Sequence, residues 1–421
     1  MFTPGFSPDE VRQFEERLFK DHEIRIGMQL LDLNMKPVTG LNELSSFLLD
    51  GQLTVSAGAD VSTRTLASTF LDPNAVLGLD TGSPQDGVLY ADRMIRATYQ
   101  VYVPEWTRQD KWASIPIFTG PITKFDRSSG VLSLECSGKE TLAGLVWVTY
   151  TIPKGTNKIE AIKQILRKGG ENYFGNLGTT TSVTSSDIVG IVTPTSSTTS
   201  TSSTAATPEA TVMWSQAEDI AQGMGKFLFY DGEGYVQMRD FPETSTWTFR
   251  DGNGGSVLKE PQVTFDPTLL KNAIRVEGKA PTTGSAPKAS AVAAASHPLS
   301  PWSLGRMVSP NGTIGNEVLV PQYLPEFIQS DSYTTTAACQ TAANQALQER
   351  LDQSIELNFD SLVVPHVEMN GYYTLSTEQP SINTSFRLRN YSIPLNASGV
   401  MTVGYTKNQI INKTAIRNRT L

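Results

Sequence analysis

Two segments flanking a Ser/Thr tract constrain this chain most. The first, residues 148–174, reads VTYTIPKGTNKIEAIKQILRKGGENYF, and the second, residues 212–242, reads VMWSQAEDIAQGMGKFLFYDGEGYVQMRDFP. In the first, Thr149 to Ile152 alternates as a strand does, and Pro153 and Gly155 break it. Asn157 caps a predicted helix whose Ile159, Ile162, Ile165 and Leu166 share a face. Lys168 suits the last turn, and Gly169 supplies a left-handed residue to end it. In the second, Ser215 and Glu218 match the S-x-x-E capping box, and Gly225 stops the helix. FLFY, Asp231-Gly232-Glu233-Gly234 and YVQMR then read as a β-hairpin. Each unit is a short helix attached to strand-like sequence, and neither contains a catalytic motif.

The surrounding sequence is strand-rich. Residues 1–21 form an arm with one helix, capped by Ser7, with Pro8 at its first position and Val11, Phe14, Leu18 and Phe19 near one face. Short strands are predicted over 24–33, 52–57, 65–71, 96–103, 115–118, 122–126 and 131–136, which sets a first β domain at 22–147. The α+β middle domain spans 148–262. Its tract, 176–211, is mostly Ser, Thr, Gly, Ala, Val and Pro, and has too little apolar surface to offset ordering entropy. It reads as a loop with one short edge strand at Ile188-Val189-Gly190-Ile191-Val192, although Thr and Val also favour a more extended strand reading. Residues 263–333 are a strand and linker region, with 280–296 a surface excursion. Residues 334–421 hold a helix over 334–355 and a second β domain. Thr335 or Thr336 caps that helix, and Ala338, Ala342, Leu347, Leu351 and Ile355 lie near one face. Strands follow over 355–359, 362–367, 372–375, 386–393 and 400–405, with a slip between Leu388 and Tyr391 that marks a bulge.

Charge and chemistry narrow the function. The formal net charge of −8 opposes a nucleic-acid reader, which needs a basic face, yet it suits a channel that DNA passes without sticking. Cys136 and Cys339 are too few for a disulfide framework and read as buried free thiols. No stretch has the length of a membrane span, and the acidic start MFTPGFSPDEVRQFEE is no secretory signal, so assembly in a cytoplasm is expected. His22, His297 and His366 are not at metal-ligand spacing. No G-x-S-x-G elbow occurs, and Gly252–Gly255 and Gly312–Gly315 lack the lysine and context of a phosphate loop. The close carboxylate pairs are Asp9/Glu10, Glu15/Glu16 and Asp231/Glu233; a solvated helix face explains the first two and a turn the third. The sequons at Asn311 and Asn383 are incidental, and Trp106, Trp112, Trp147, Trp214, Trp247 and Trp302 are read as core or interface. No catalytic, cofactor or metal residue is assigned.

The order of these signals resembles the hub family of phage tail baseplates, in particular the tail-associated hub, or minor tail protein, of long-tailed phages infecting actinobacteria. The matching residues are Pro153-Lys154-Gly155-Thr156, Gly169-Gly170-Glu171, Trp214, Gly225 and Asp231-Gly232. Leu71-Asp72-Pro73 after a strand pair, Phe118-Thr119-Gly120 opening a hairpin, and the strand Asn272-Ala273-Ile274-Arg275-Val276-Glu277-Gly278 extend the likeness over most of 40–410. The resemblance implies a mainly β protein with an α+β insertion: two tail-tube-like β-barrel domains plus helix-hairpin middle domains. It implies a non-enzymatic structural virion protein at the tail tip, a homotrimer that meets a distal tail protein and tail tube, the tape-measure protein, and receptor-binding or tip proteins. Neither sequence-specific nucleic-acid binding nor membrane insertion is expected. A receptor- or carbohydrate-binding tail protein and a tail-tip cell-wall hydrolase are the alternatives. The basic terminus from Lys413 to Arg419 either reaches an acidic neighbour or is a frayed end.

Overall fold

The computed structural model describes residues 5–39, 43–57, 62–74, 76–77, 89, 92–144, 149–190, 212–252, 254–265, 270–280, 284–309, 317–330, 333–352, 355–378 and 381–406. Helix α1 (Pro8–Leu18) opens the chain with a complete capping box: Ser7 Oγ accepts from Glu10 N, and Ser7 N donates to the Glu10 carboxylate. Six strands follow: β1 (Ile24–Asp32), β2 (Leu48–Ala57), β3 (Ser62–Leu71), β4 (Arg93–Tyr102), β5 (Trp112–Ser128) and β6 (Val131–Ser137). The insertion holds β7 (Tyr150–Ile152), α2 (Lys158–Lys168), β8 (Ile188–Gly190), α3 (Met213–Gln222), β9 (Lys226–Tyr230) and β10 (Val236–Asp240). Next come β11 (Thr248–Arg250), β12 (Gln262–Phe265), β13 (Ala273–Gly278), β14 (Lys288–Val292), β15 (Arg306–Val308), β16 (Val318–Val320) and β17 (Pro325–Ser330). The chain continues through α4 (Thr336–Asp352), β18 (Ile355–Ser361), β19 (Tyr372–Thr377), β20 (Ile382–Pro394) and β21 (Met401–Thr406).

The chain is mainly β, as expected. The early and late strands join in one 12-stranded sheet with the order β1-β4-β5-β6-β3-β2-β20-β21-β18-β12; β19 adds to β20, and β11 pairs with β19 in parallel. The seam is the antiparallel β2–β20 pair, from Gln52↔Pro394 to Ser56↔Asn390. A single apolar cluster crosses it, containing Phe14, Phe70 and Phe118 from the early part and Phe249, Phe359 and Phe386 from the late part. The insertion has its own core, in which Ile162, Ile165 and Leu166 of α2 pack with Trp214, Ala217 and Ile220 of α3 and Tyr230 of β9. Helix α4 covers β13 and β14 through Cys339, Ala342 and Ala343.

Several local expectations are corrected. Ser215 is not a cap: α3 starts earlier, with Val212 at the N-cap and no side-chain capping bond. Met213 N donates instead to Gly144 O, and Met213 and Trp214 are buried, so tertiary anchoring sets the helix start. Gly169 ends α2 at φ −84°, and it is Gly170 that takes the left-handed conformation, at φ 89°. Phe118-Thr119-Gly120 does not open a hairpin but lies within β5, which unites two expected strands. A Cβ on Gly120 would come 2.0 Å from Ser137 O, so only glycine lets β5 pass β6 there. Residues 362–367 are a buried loop rather than a strand, held by Leu362 N donating to Ser256 O. Residues 280–296 are not simply an excursion, since they supply β14. Ile355 belongs to β18, not α4. Other readings match: Asn157 caps α2, Thr335 Oγ1 accepts from Ala338 N at the start of α4, and the bulge in β20 falls between Leu388 and Asn390. Cys136 and Cys339 are free and buried. The tract contributes β8, which pairs with β7; residues 191–211 lie outside the described residues.

Candidate functional site: a buried junction between sheet and insertion

The sequence signals converge where the insertion meets the large sheet. After β6, Gly138 and a 3-10 turn at Lys139–Ala143 aim Lys139 at the insertion. Its ammonium lies 2.9 Å from Glu171 Oε2 and donates to Gly234 O at 2.9 Å, with both charged side chains almost fully buried. Tyr230 OH donates to the same Glu171 oxygen at 2.8 Å, and Tyr173 N donates to the other at 2.7 Å. Glu171 is thus bonded on both oxygens, which a buried carboxylate requires. Burial pushes the Lys139 ammonium down despite Glu171, and pushes the Tyr230 hydroxyl well up. Glu140, also raised by burial, accepts from Arg64 N at 3.2 Å.

The hairpin between β9 and β10 lies against β5. Thr119 Oγ1 donates to Gly232 O at 2.8 Å, and Arg96 donates to Glu233 O at 3.0 Å. Asp231 serves its own turn by accepting from Tyr235 N at 2.9 Å and Gln237 Nε2 at 2.6 Å. A Cβ on Gly232 would sit 1.9 Å from Pro116 O, so backbone touches backbone at this point. Beneath it Trp214 stacks on Tyr230, with centroids 5.0 Å apart and planes at 20°. Thr119, Glu171, Trp214, Asp231 and Gly232 therefore form one joint. Lys139 was missed by sequence reasoning; a lysine after a strand carries no signal of burial. Arg96 was seen only as the start of a strand.

A second joint holds β13. Buried Asn272 donates to Leu299 O at 3.2 Å and Gln322 O at 3.0 Å, and accepts from Leu324 N at 2.7 Å. At the other end of the strand a Cβ on Gly278 would lie 1.8 Å from Tyr333 O. The two ends of the asparagine-to-glycine strand motif are thus a three-way clamp and a close contact.

The remaining candidates are dispersed. His22 Nδ1 lies 2.7 Å from Lys20 O, and His297 Nδ1 accepts from Leu299 N at 3.1 Å. His366 is fully buried between Phe14 and Trp247, with Glu15 Oε1 at 3.5 Å, and burial pushes it down. Glu10 belongs to the α1 cap, and Arg12 pairs with Glu16 at 3.1 Å. Trp106, Trp214 and Trp247 are buried and Trp302 is exposed; Trp147, the Asn311 sequon, residues 312–315 and the basic terminus lie outside the described residues. A cleft of 560 Å³ between the insertion and the start of α4 is lined by Lys158, Thr184, Asp219, Tyr333 and Thr335. Among the described residues no group of three His, Cys, Asp or Glu could hold a metal, and no helix is long and apolar enough to cross a membrane.

No family model matches the chain, and neither does any curated protein sequence. Two solved structures share its fold almost end to end. The 43 kDa tail protein of prophage MuSo2 from Shewanella oneidensis is 10% identical, with 92% of this chain and 99% of that chain covered at a TM-score of 0.52. The tail protein from Neisseria meningitidis is 12% identical, covering 92% of this chain and 97% of that one at a TM-score of 0.53. The fold is that of phage tail proteins.

Proposed function

We propose that this chain is a structural virion protein, the central hub of a phage tail tip or baseplate. The observation that carries the reading is the match in fold to two tail proteins, which takes in 92% of this chain and 97–99% of theirs. The joints support it. A hub transmits load between a ring and its attachments, and the buried Lys139–Glu171 pair and the Gly232–Pro116 backbone contact fix the insertion rigidly to the sheet.

In this reading three copies form a ring, each giving two β domains, 22–147 and 334–421, so that the ring presents quasi-sixfold symmetry to a hexameric distal tail protein and tail tube. The middle domain, 148–262, stands off the ring, and the region 263–333 returns the chain to the hub. The acidic balance suits a channel through which the tape-measure protein and then DNA leave without binding. Receptor-binding or tip proteins attach on the far side. The actinobacterial host type rests on the motif likeness.

Electron microscopy of the purified chain and of tail tips tests this. Threefold rings at the tip are expected. A chain that stays monomeric at high concentration and never associates with tail-tube components would overturn the proposal, as would wall-lytic activity lost on changing one or two acidic residues.

A further inference from the structure

The ribbon β15–β16 is exposed throughout: all six of its strand residues face solvent. Met307 pairs with Leu319, and Val308 with Val318, so the ribbon is apolar on both faces rather than on one. Exposures are 59% for Met307, 54% for Val318 and 48% for Val320. Among the described residues neither strand pairs with any other, which leaves two open edges. A two-stranded ribbon is marginal on its own, and an open apolar edge invites pairing. This one is nevertheless held in place at its root. Asn272 clamps Leu299, Gln322 and Leu324, and the rings of Trp302 and Tyr323 meet there with centroids 6.2 Å apart. Beyond the root, Phe327 on β17 is 72% exposed.

We infer that this arm, with Trp302 and Tyr323 at its root and the exposed Phe327 on the following strand, is the surface that docks a second copy of the chain; the inference rests on the hub reading and names the contact within its ring. The five apolar residues of the two strands are each 43–59% exposed, a concentration of open apolar surface of the kind a stable interface buries at about 800 Å² per partner. Arg306 is the only charged residue in the two strands, and depletion of charge marks permanent interfaces rather than transient ones. A surface of this kind must be covered soon after synthesis, because it otherwise aggregates. A copy of the same chain, made alongside it, is the partner always present at that moment. With both faces apolar, the arm inserts between elements of the neighbour rather than lying on one flat surface.

The test compares the assembly of wild-type protein with that of Met307→Asp/Leu319→Asp and of Phe327→Asp, by light scattering across a concentration series. These positions are exposed, so the thermal melts should coincide. The concentration for half-assembly should rise at least tenfold in the variants. In a second measurement, the thiol of Leu319→Cys should react with a maleimide much more slowly in the assembled protein than in the dissociated chain, with Cys136 and Cys339 buried and silent. Wild type and variants that assemble at the same concentration, or a Leu319→Cys thiol that reacts as fast in the assembled protein as in the dissociated chain, overturn the arm's assignment and leave the hub reading standing. A wild-type chain that is monomeric throughout overturns both.

Discussion

Lys139 shows what a single side chain does here. Its ammonium and the Glu171 carboxylate are both out of water, and each relies on the other for compensation. Replacing such a pair together costs little, whereas removing one partner strands a buried charge at about 3–5 kcal/mol. Lys139→Met should therefore lower unfolding stability in urea by that amount. Lys139→Met/Glu171→Gln should be less destabilised than the sum of the two single changes, by about 1–3 kcal/mol. Strict additivity would mean that the pair is not coupled. His366 gives a pH signature with a definite sign. Its folded pKa is depressed, chiefly by burial, against the pull of Glu15 and Glu368. Above the unfolded value of about 6.5 the ring is neutral in both states and carries no penalty. As pH falls below it, the unfolded chain takes up the proton first, so stability declines toward the folded pKa. His366→Phe retains the packing against Phe14 and Trp247 and should flatten that decline between about pH 7 and pH 5. Equal slopes for variant and wild type would remove His366 as the cause.

At the scale of elements, backbone approach decides which glycines matter. Gly178 has a positive φ of 70° but open space around it, so alanine there meets only the cost of the left-handed conformation, about 1–2 kcal/mol. Gly232 has no such φ, yet its added Cβ would lie 1.9 Å from Pro116 O. Gly232→Ala must push the β9–β10 hairpin off β5, and should cost more than Gly178→Ala and weaken the Thr119 contact. Equal losses in thermal melts would show that the hairpin can slide freely. The same contrast explains what sequence could and could not reveal. Caps at Ser7 and Asn157, the hairpin turn after Tyr230 and the alternation in β4 are local, and they were legible. The start of α3 was not, because Met213 is fixed by Gly144, roughly seventy residues away in the chain. Residues 362–367 looked like a strand because Val363, Val364 and Val367 are apolar; burial of a loop gives the same pattern. The motif residues of the joint were visible one by one, but Lys139, which binds them together, was not.

At the scale of the molecule, the seam between β2 and β20 decides whether the two β regions are independent. Sequence suggests separate domains at 22–147 and 334–421, because a long insertion divides them. The structure runs one sheet through both, and one apolar cluster draws on both sides. Helix α1 adds a further tie: Phe14 meets His366, and Phe19 stacks on Trp247 at 5.4 Å, so the first element of the chain packs on late ones. Cutting the chain after residue 147 removes the β20 partner of β2 and strips the cover from Phe14, Phe19 and the β2 edge. Each large side chain so exposed forfeits about 1.5–3 kcal/mol, and a domain's net stability is only about 5–15 kcal/mol. A fragment of residues 1–147 should therefore be unfolded or aggregated. The intact chain should show the early and late strands melting in one calorimetric transition. A soluble fragment with a cooperative melt of its own would make the β2–β20 seam a contact between two self-sufficient domains, and the hub would then be able to flex where this structure makes it continuous.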